Sequence, residues 1–385
     1  MKNLACAVLM AIGAASIALS AQDRPARPER PARPAAPAPL APLEPLAPLE
    51  PLAPLEPRPP VLPAPPAADN GRQSWTFSTG TGWTRLRIEA RGRIELTDDE
   101  KDVKSVSANG SFEISSKGWL SLFGQRYAVR GNADGTTTRR FNVGGVERPI
   151  DAEARAWIAD TIQHLVRNGF GAEARVARIL ASQGPSGVLD EIARFDSNFI
   201  KARYFALLLQ QQRLDRPTAE RTLRLASSQI GSDFELARVL IAFVEAVPLD
   251  ETLAPAFVEA ANAIGSDFEH ARALRALMAR QQTPVAVKAV LASTPRIGSD
   301  FEKGRVLRDL AQRKDIGADA VSGIVRATAS IGSDFEHARV LLEVIASQPI
   351  DAAARQALLD TTGRIGSDHE RGRVMSAMLR EGALR

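Results

Sequence analysis

Serine, aspartate and glutamate crowd together five times in this chain, with histidine inside or beside three of the copies. The copies are Ser232-Asp233-Phe234-Glu235, Ser266-Asp267-Phe268-Glu269, Ser299-Asp300-Phe301-Glu302, Ser333-Asp334-Phe335-Glu336 and Ser367-Asp368-His369-Glu370. A hydroxyl nucleophile with acid and base partners nearby would suit hydrolysis. Repetition argues against that chemistry, because a catalytic constellation is normally assembled once. The glycines before the copies stand at 231, 265, 298, 332 and 366, a spacing of about 34 residues that marks stacked supersecondary units.

Helix capping explains the same residues. In a Ser-x-x-Glu box the serine oxygen accepts from the N–H three residues on, and the glutamate reaches back to the serine N–H. The pairs Ser232/Glu235, Ser266/Glu269, Ser299/Glu302, Ser333/Glu336 and Ser367/Glu370 all fit. Aspartate at the first helical position favours the positive end of the helix dipole, and the preceding glycine allows a sharp turn. An arginine follows each capping serine by six residues: Arg238, Arg272, Arg305, Arg339 and Arg373, with Arg203 in a degraded upstream copy around Ser197-Asn198-Phe199. Two readings stay open. Glutamate and arginine three apart are neighbours on one helix face. Alternatively Asp233, Asp267, Asp300, Asp334 and Asp368 form an inter-repeat ladder with the arginines, each arginine reaching an aspartate or a helix-end carbonyl of the next unit.

Other reactive groups lack the company that chemistry needs. His270 and His337 share a repeat position two units apart, so they cannot hold one metal. His369-Glu370 resembles the start of a zinc-protease helix, but Arg373 stands where the second histidine belongs. There is no Gly-x-Ser-x-Gly elbow and no phosphate-binding glycine loop. The expectation is no enzyme, no cofactor and no metal. The acidic stretch Glu95, Asp98, Asp99, Glu100 and Asp102 reads as a solvated turn, with a weak cation site or a hydrolase centre on the β segment as lesser alternatives.

The elements that position these residues follow from periodicity. After each box, apolar residues such as Phe234, Ala237, Ile241 and Val244, or Phe268, Ala271, Leu274 and Met278, recur at helical spacing. A preceding helix starts near Asp250 and Asp351, with aspartate as cap. Residues 150–385 therefore read as an α/α-hairpin solenoid of about seven units. Residues 72–149 read as a small antiparallel β module of about five to seven strands. Leu86, Ile88 and Ala90 alternate before Gly92 interrupts, and Asn109-Gly110 and Asp134-Gly135 look like hairpin turns. Trp75, Trp83 and Trp119 are expected in its core. The fold class expected is α+β.

Residues 1–21 have the pattern of a signal peptide: Lys2, an apolar stretch to Leu19, and small residues at Ala18 and Ser20. An uncleaved membrane anchor is the alternative. Residues 22–71 are proline-rich, with Pro at every third position from 39 to 57 beside a leucine series from Leu40 to Leu55. That period matches polyproline II and a stiff spacer. The single cysteine, Cys6, lies in the leader, so a mature chain would carry no thiol. The net charge of +4 is interspersed rather than patched, which excludes a nucleic-acid binder.

The register Ser-Asp-Phe-Glu-x-x-Arg-Val-Leu resembles Ser-Asp-Tyr-Glu helical repeats of Gram-negative cell-envelope proteins. The run Arg91-Gly92-Arg93-Ile94-Glu95-Leu96-Thr97-Asp98-Asp99, continuing to Asp151-Ala152-Glu153-Ala154-Arg155-Ala156-Trp157, is similar to the extracytoplasmic tail of antirepressor-type membrane metallopeptidases. The likeness spans roughly residues 83–385. The sequence contains no His-Glu-x-x-His, so no peptidase activity carries over. The resemblance implies a periplasmic or exported module that binds an envelope protein or peptide, or one that serves a sensory system.

Overall fold

The computed structural model describes residues 72–78, 84–118, 124–314 and 316–382. The leader, the proline-rich segment and the side chains of Trp75, Trp83 and Trp119 lie outside the described residues. A small antiparallel sheet is followed by helices, an α+β arrangement.

Strands β1 (Arg72–Ser78), β2 (Thr84–Arg91), β5 (Ser111–Gly118), β6 (Gln125–Gly131), β7 (Thr137–Val143) and β8 (Val146–Arg148) form one sheet in the order β1-β2-β5-β6-β7-β8. Strands β3 (Ile94–Leu96) and β4 (Val103–Val106) pair separately. Ile88 faces Ile114, Ile114 faces Tyr127, and Tyr127 faces Phe141 across successive strands. Period-two alternation puts these residues on one face, and all four are buried. Charged residues take the other face, where Arg87 pairs with Glu89 and Arg126 with Glu113.

Two turns behave differently from the sequence reading. Gly92, at φ 79°, does interrupt the two apolar runs, but they form neither a strand pair nor one bulged strand; it turns the chain out of the large sheet into the small one. Asn109-Gly110 is not a hairpin turn, because β4 and β5 are not partners. It returns the chain to the sheet at a close backbone approach, and a Cβ on Gly110 would lie 2.6 Å from the Arg91 carbonyl oxygen. Asp134-Gly135 does close a hairpin, between the paired β6 and β7.

The helices are α1 (Ala152–Arg167), α2 (Ala172–Ile192), α3 (Asn198–Gln211), α4 (Arg216–Gln229), α5 (Asp233–Ala246), α6 (Ala254–Asn262), α7 (Asp267–Arg280), α8 (Pro284–Ser293), α9 (Asp300–Ala311), α10 (Ala318–Ala327), α11 (Asp334–Ser347), α12 (Ala352–Thr362) and α13 (Asp368–Arg380). α2 is broken at Gly184, which has φ 68°, and Pro185 restarts it. None of the described helices is long and apolar enough to cross a membrane.

α1 belongs to the sheet's core: Ile158, Ile162 and Leu165 pack with Ile88, Phe112 and Tyr127. Trp157 meets Phe141 at a centroid distance of 5.6 Å, and Phe112 meets Phe170 at 5.5 Å. A sheet this small gains by sharing a helix, since the fraction of surface a domain buries falls as the domain gets smaller. From α3 onward the odd-numbered helices pack on one another in sequence, and from α4 onward so do the even-numbered ones. Between these layers lies one continuous apolar core, running from Ala172 to Met378.

Candidate interaction face and the joints that build it

Each capping serine stands at a helix start. Ser232, Ser266, Ser299, Ser333 and Ser367 are the N-caps of α5, α7, α9, α11 and α13. Their hydroxyls accept from the N–H of Glu235, Glu269, Glu302, Glu336 and Glu370. The reciprocal half of the box is absent in three copies, because the serine N–H is already taken. Ser299 N–H donates to Asp267, Ser333 N–H to Asp300 and Ser367 N–H to Asp334, each at 2.8 Å.

Those aspartates form the joint between successive odd-numbered helices. Asp233 accepts from Gly265 N–H at 2.9 Å, Asp267 from Gly298 at 2.6 Å, Asp300 from Gly332 at 3.0 Å and Asp334 from Gly366 at 3.0 Å. Asn198 serves Gly231 in the same way at 3.1 Å. Asp368, on the last helix, pairs with Arg371 instead. The glycines keep ordinary negative φ, so the sharp turn expected of them is not their role. Their role is close approach: a Cβ on Gly298, Gly332 or Gly366 would sit 3.1–3.2 Å from the aspartate carboxylate.

The proposed aspartate–arginine ladder is therefore corrected. Arg238, Arg272, Arg305, Arg339 and Arg373 pair within their own helices, with Glu235, Glu269, Glu302, Glu336 and Glu370. The physical reason is position. The aspartate at the helix start faces the next unit's amides, where the helix dipole and free N–H groups favour an anion. The arginine lies five residues further on, more than a full turn away and on the same face as the glutamate. These glutamates are buried, and burial raises the carboxyls of Glu235 and Glu302 above the usual range, opposed by Arg238 and Arg305 respectively. Arg203, at the same position in α3, reaches Glu173 of α2 at 2.7 Å.

A phenylalanine row accompanies the arginines. Phe199, Phe234, Phe268, Phe301 and Phe335 are half-buried at the second residue past each cap rather than sealed in the core, where the periodicity placed Phe234 and Phe268. Guanidinium groups lie over two of these rings: Arg272 reaches back to Phe234 at 5.1 Å, and Arg339 sits over Phe335 at 5.3 Å. The result is a face of alternating aromatic and cationic side chains crossing the odd-numbered layer. At its C-terminal end a groove of about 600 Å³ opens between α11 and α13, lined by Leu342, His369 and Arg373.

Sequence reasoning missed a second joint at the opposite helix ends. Gln281, C-cap of α7, donates to the Val244 and Val247 carbonyls after α5 and accepts from Leu249 N–H. Gln348, C-cap of α11, donates to the Ala311 and Arg313 carbonyls, and Arg313 reaches the Met278 and Gln281 carbonyls. Glutamine at the C-caps of both α7 and α11 was the available signal. Asp351 caps α12 as expected. Asp250 caps only a turn, at Thr252 and Leu253, because α6 begins later.

The two repeated histidines are structural donors. His270 Nε2 meets Ser293 Oγ at 2.7 Å, and that hydroxyl donates to Asn262 Oδ1, so the imidazole must donate. His337 Nε2 does the same to Thr328, whose hydroxyl donates to the Val325 carbonyl. Burial pulls His270 down to about 4 and lowers His337 as well.

The acidic turn is not solvated throughout. Glu100 pairs with both Arg175 and Arg178 of α2, and Arg175 also bridges to Glu191 at 2.8 Å. Asp102 accepts from the Tyr127 hydroxyl at 2.6 Å; burial foremost, and this bond after it, raise that phenol. Asp99 accepts from Thr97 Oγ1 and from Lys101 N–H, which lower its carboxyl. The turn is thus a clasp between the small sheet and α2. Among the described residues no group of three or more metal-ligating side chains converges. No protein-family model, curated protein or solved structure matches the chain.

Proposed function

We propose that the protein is a non-enzymatic interaction module of the bacterial cell envelope. In this reading α1 to α13 are an α/α-hairpin solenoid of about 34-residue repeats, whose odd-numbered face binds an extended peptide or protein segment. The observation that carries it is the phenylalanine–arginine row. Core residues need not recur half-exposed at one position of successive helices, whereas aromatic and arginine side chains are the enriched anchors of protein interfaces. The repeated serine, aspartate and glutamate residues are occupied in capping and joining, which leaves them no catalytic task. The leader pattern and the likeness to envelope repeats support an exported location, with a membrane tether if the leader is retained.

The test is capture from envelope extract with the full chain against a Phe268→Ser/Phe301→Ser variant. A partner retained by the wild type and lost by the variant is the expected result; equal recovery by both would remove the face from the account. Mass spectrometry of the N-terminus in fractionated cells separates a cleaved exported protein from an anchored one. A sensory role is the second reading, and the Glu100 clasp favours it, since it joins two regions through a few side chains that a signal could part.

A further inference from the structure

Beside the clasp lies a cleft of about 230 Å³ between the small sheet and the start of α2. Ile94, Leu96, Val166 and Phe170 supply apolar walls, and Lys104, Arg175 and Arg178 stand at its rim. Gly171, also on the cleft, is the N-cap of α2 and offers no side-chain acceptor to the first turn. A helix N-terminus without a capping side chain, next to two arginines, attracts anions through free N–H groups and the helix dipole. The carboxylate now on those arginines is Glu100. It belongs to a non-glycine residue at φ 56°, in the left-handed region that side chains with a Cβ rarely adopt. The site thus has a tethered anion in it, held in a strained turn, and an apolar recess next to it.

We propose that this cleft binds a small amphipathic anion, a carboxylate or phosphate monoester with a short apolar chain, whose charged group replaces Glu100 on Arg175 and Arg178. Without Glu100 the nearby charges are Lys104, Arg175 and Arg178 against Glu95 and Glu191, an excess of one positive charge. Phosphate and carboxylate both match the arginine fork, and hydrogen bonds to a charged acceptor are the strong kind. The recess is smaller than the roughly 300–1,000 Å³ of drug-sized sites, so the apolar part is short. Glu100 acts as an internal competitor. An internal competitor lowers apparent affinity by the fraction of molecules in which it holds the site. Displacing it frees the turn between β3 and β4, which couples occupancy to the contact between sheet and helices. The site is separate from the phenylalanine–arginine face, and the inference stands or falls without it.

The experiment uses the full chain, with hexyl phosphate and hexanoate as probes and hexanol as the neutral control, read by calorimetry and by hydrogen exchange over residues 97–102. The expected result is binding of one or both anions at least about tenfold tighter than hexanol, tightened about fivefold or more by Glu100→Gln and weakened about tenfold by Arg175→Gln/Arg178→Gln. Exchange in the turn should rise on binding. Near-UV circular dichroism checks that the variants fold; if the double variant does not, the Glu100→Gln and Lys104→Gln proteins carry the test. Hexanol binding as well as the anions, anion affinity unchanged by Glu100→Gln, or no binding of either anion would each overturn the proposal.

Discussion

The helical layers and the sheet–helix junction are both fastened by carboxylates, but the carboxylates hold different things. Between successive odd-numbered helices, Asp267, Asp300 and Asp334 each hold two backbone N–H groups of the next unit. At the junction, Glu100 holds two guanidinium groups on long side chains. Backbone donors come with every residue, are aimed by the helix start, and lose little entropy on binding. Arginine donors must be ordered at a cost, and their charges are screened by salt. The first kind of joint suits a part that must be copied; the second suits one that can open.

Acid should separate the two regions most strongly. His270 is an ordinary imidazole when unfolded and is held near 4 when folded. A base with a depressed folded value contributes stability above about pH 6.5 and loses it as pH falls toward 4. Wild type should therefore lose about 3 kcal/mol more than a His270→Gln variant between pH 7 and pH 4, measured by denaturant unfolding. His337 adds in the same direction. The raised carboxyls of Glu235 and Glu302 act oppositely, relieving a cost as pH drops through their folded values, so the variant difference isolates the histidine.

Removing one aspartate comes next. Asp300→Ala strips the acceptor from Gly332 and Ser333 and should lower local stability by about 2 kcal/mol. Hydrogen exchange should show the loss concentrated in α9 and α11 while the sheet is unchanged; a uniform loss would contradict independent joints. Ser299→Ala removes a single capping acceptor and should cost about 1 kcal/mol at the same helices. The smallest effect belongs to the clasp. Glu100→Ala should cost about 1 kcal/mol or less in low salt and still less in high salt, where the aspartate joints hold. Glu100→Gly should cost less than the alanine change, because glycine accepts the positive φ.

What could be read from residues alone was whatever stays local. The serine caps and the glutamate–arginine pairs connect positions three apart, so spacing revealed them. The period also showed that Asp233, Asp267, Asp300 and Asp334 recur. It did not show what they touch, because the offset between packed helices is a tertiary quantity. The glycines suggest a turn for the same reason: their real neighbour is a carboxylate some thirty residues earlier. Glu100 and Arg175 are 75 residues apart, and nothing in the acidic run distinguishes the residue that docks from those that face water. Asn109-Gly110 misled because its local preference is shared by hairpins and by a strand exit; the pairing of β3 with β4 decided between them.

The glycine–aspartate contact gives the starts of α7, α9 and α11 two unlike ends, an acceptor facing forward and a donor facing back. A stretch of about 34 residues copied anywhere in the array would bring one of each and meet matching partners on both sides. Inserting such a stretch whole would therefore call for no new contact at either seam.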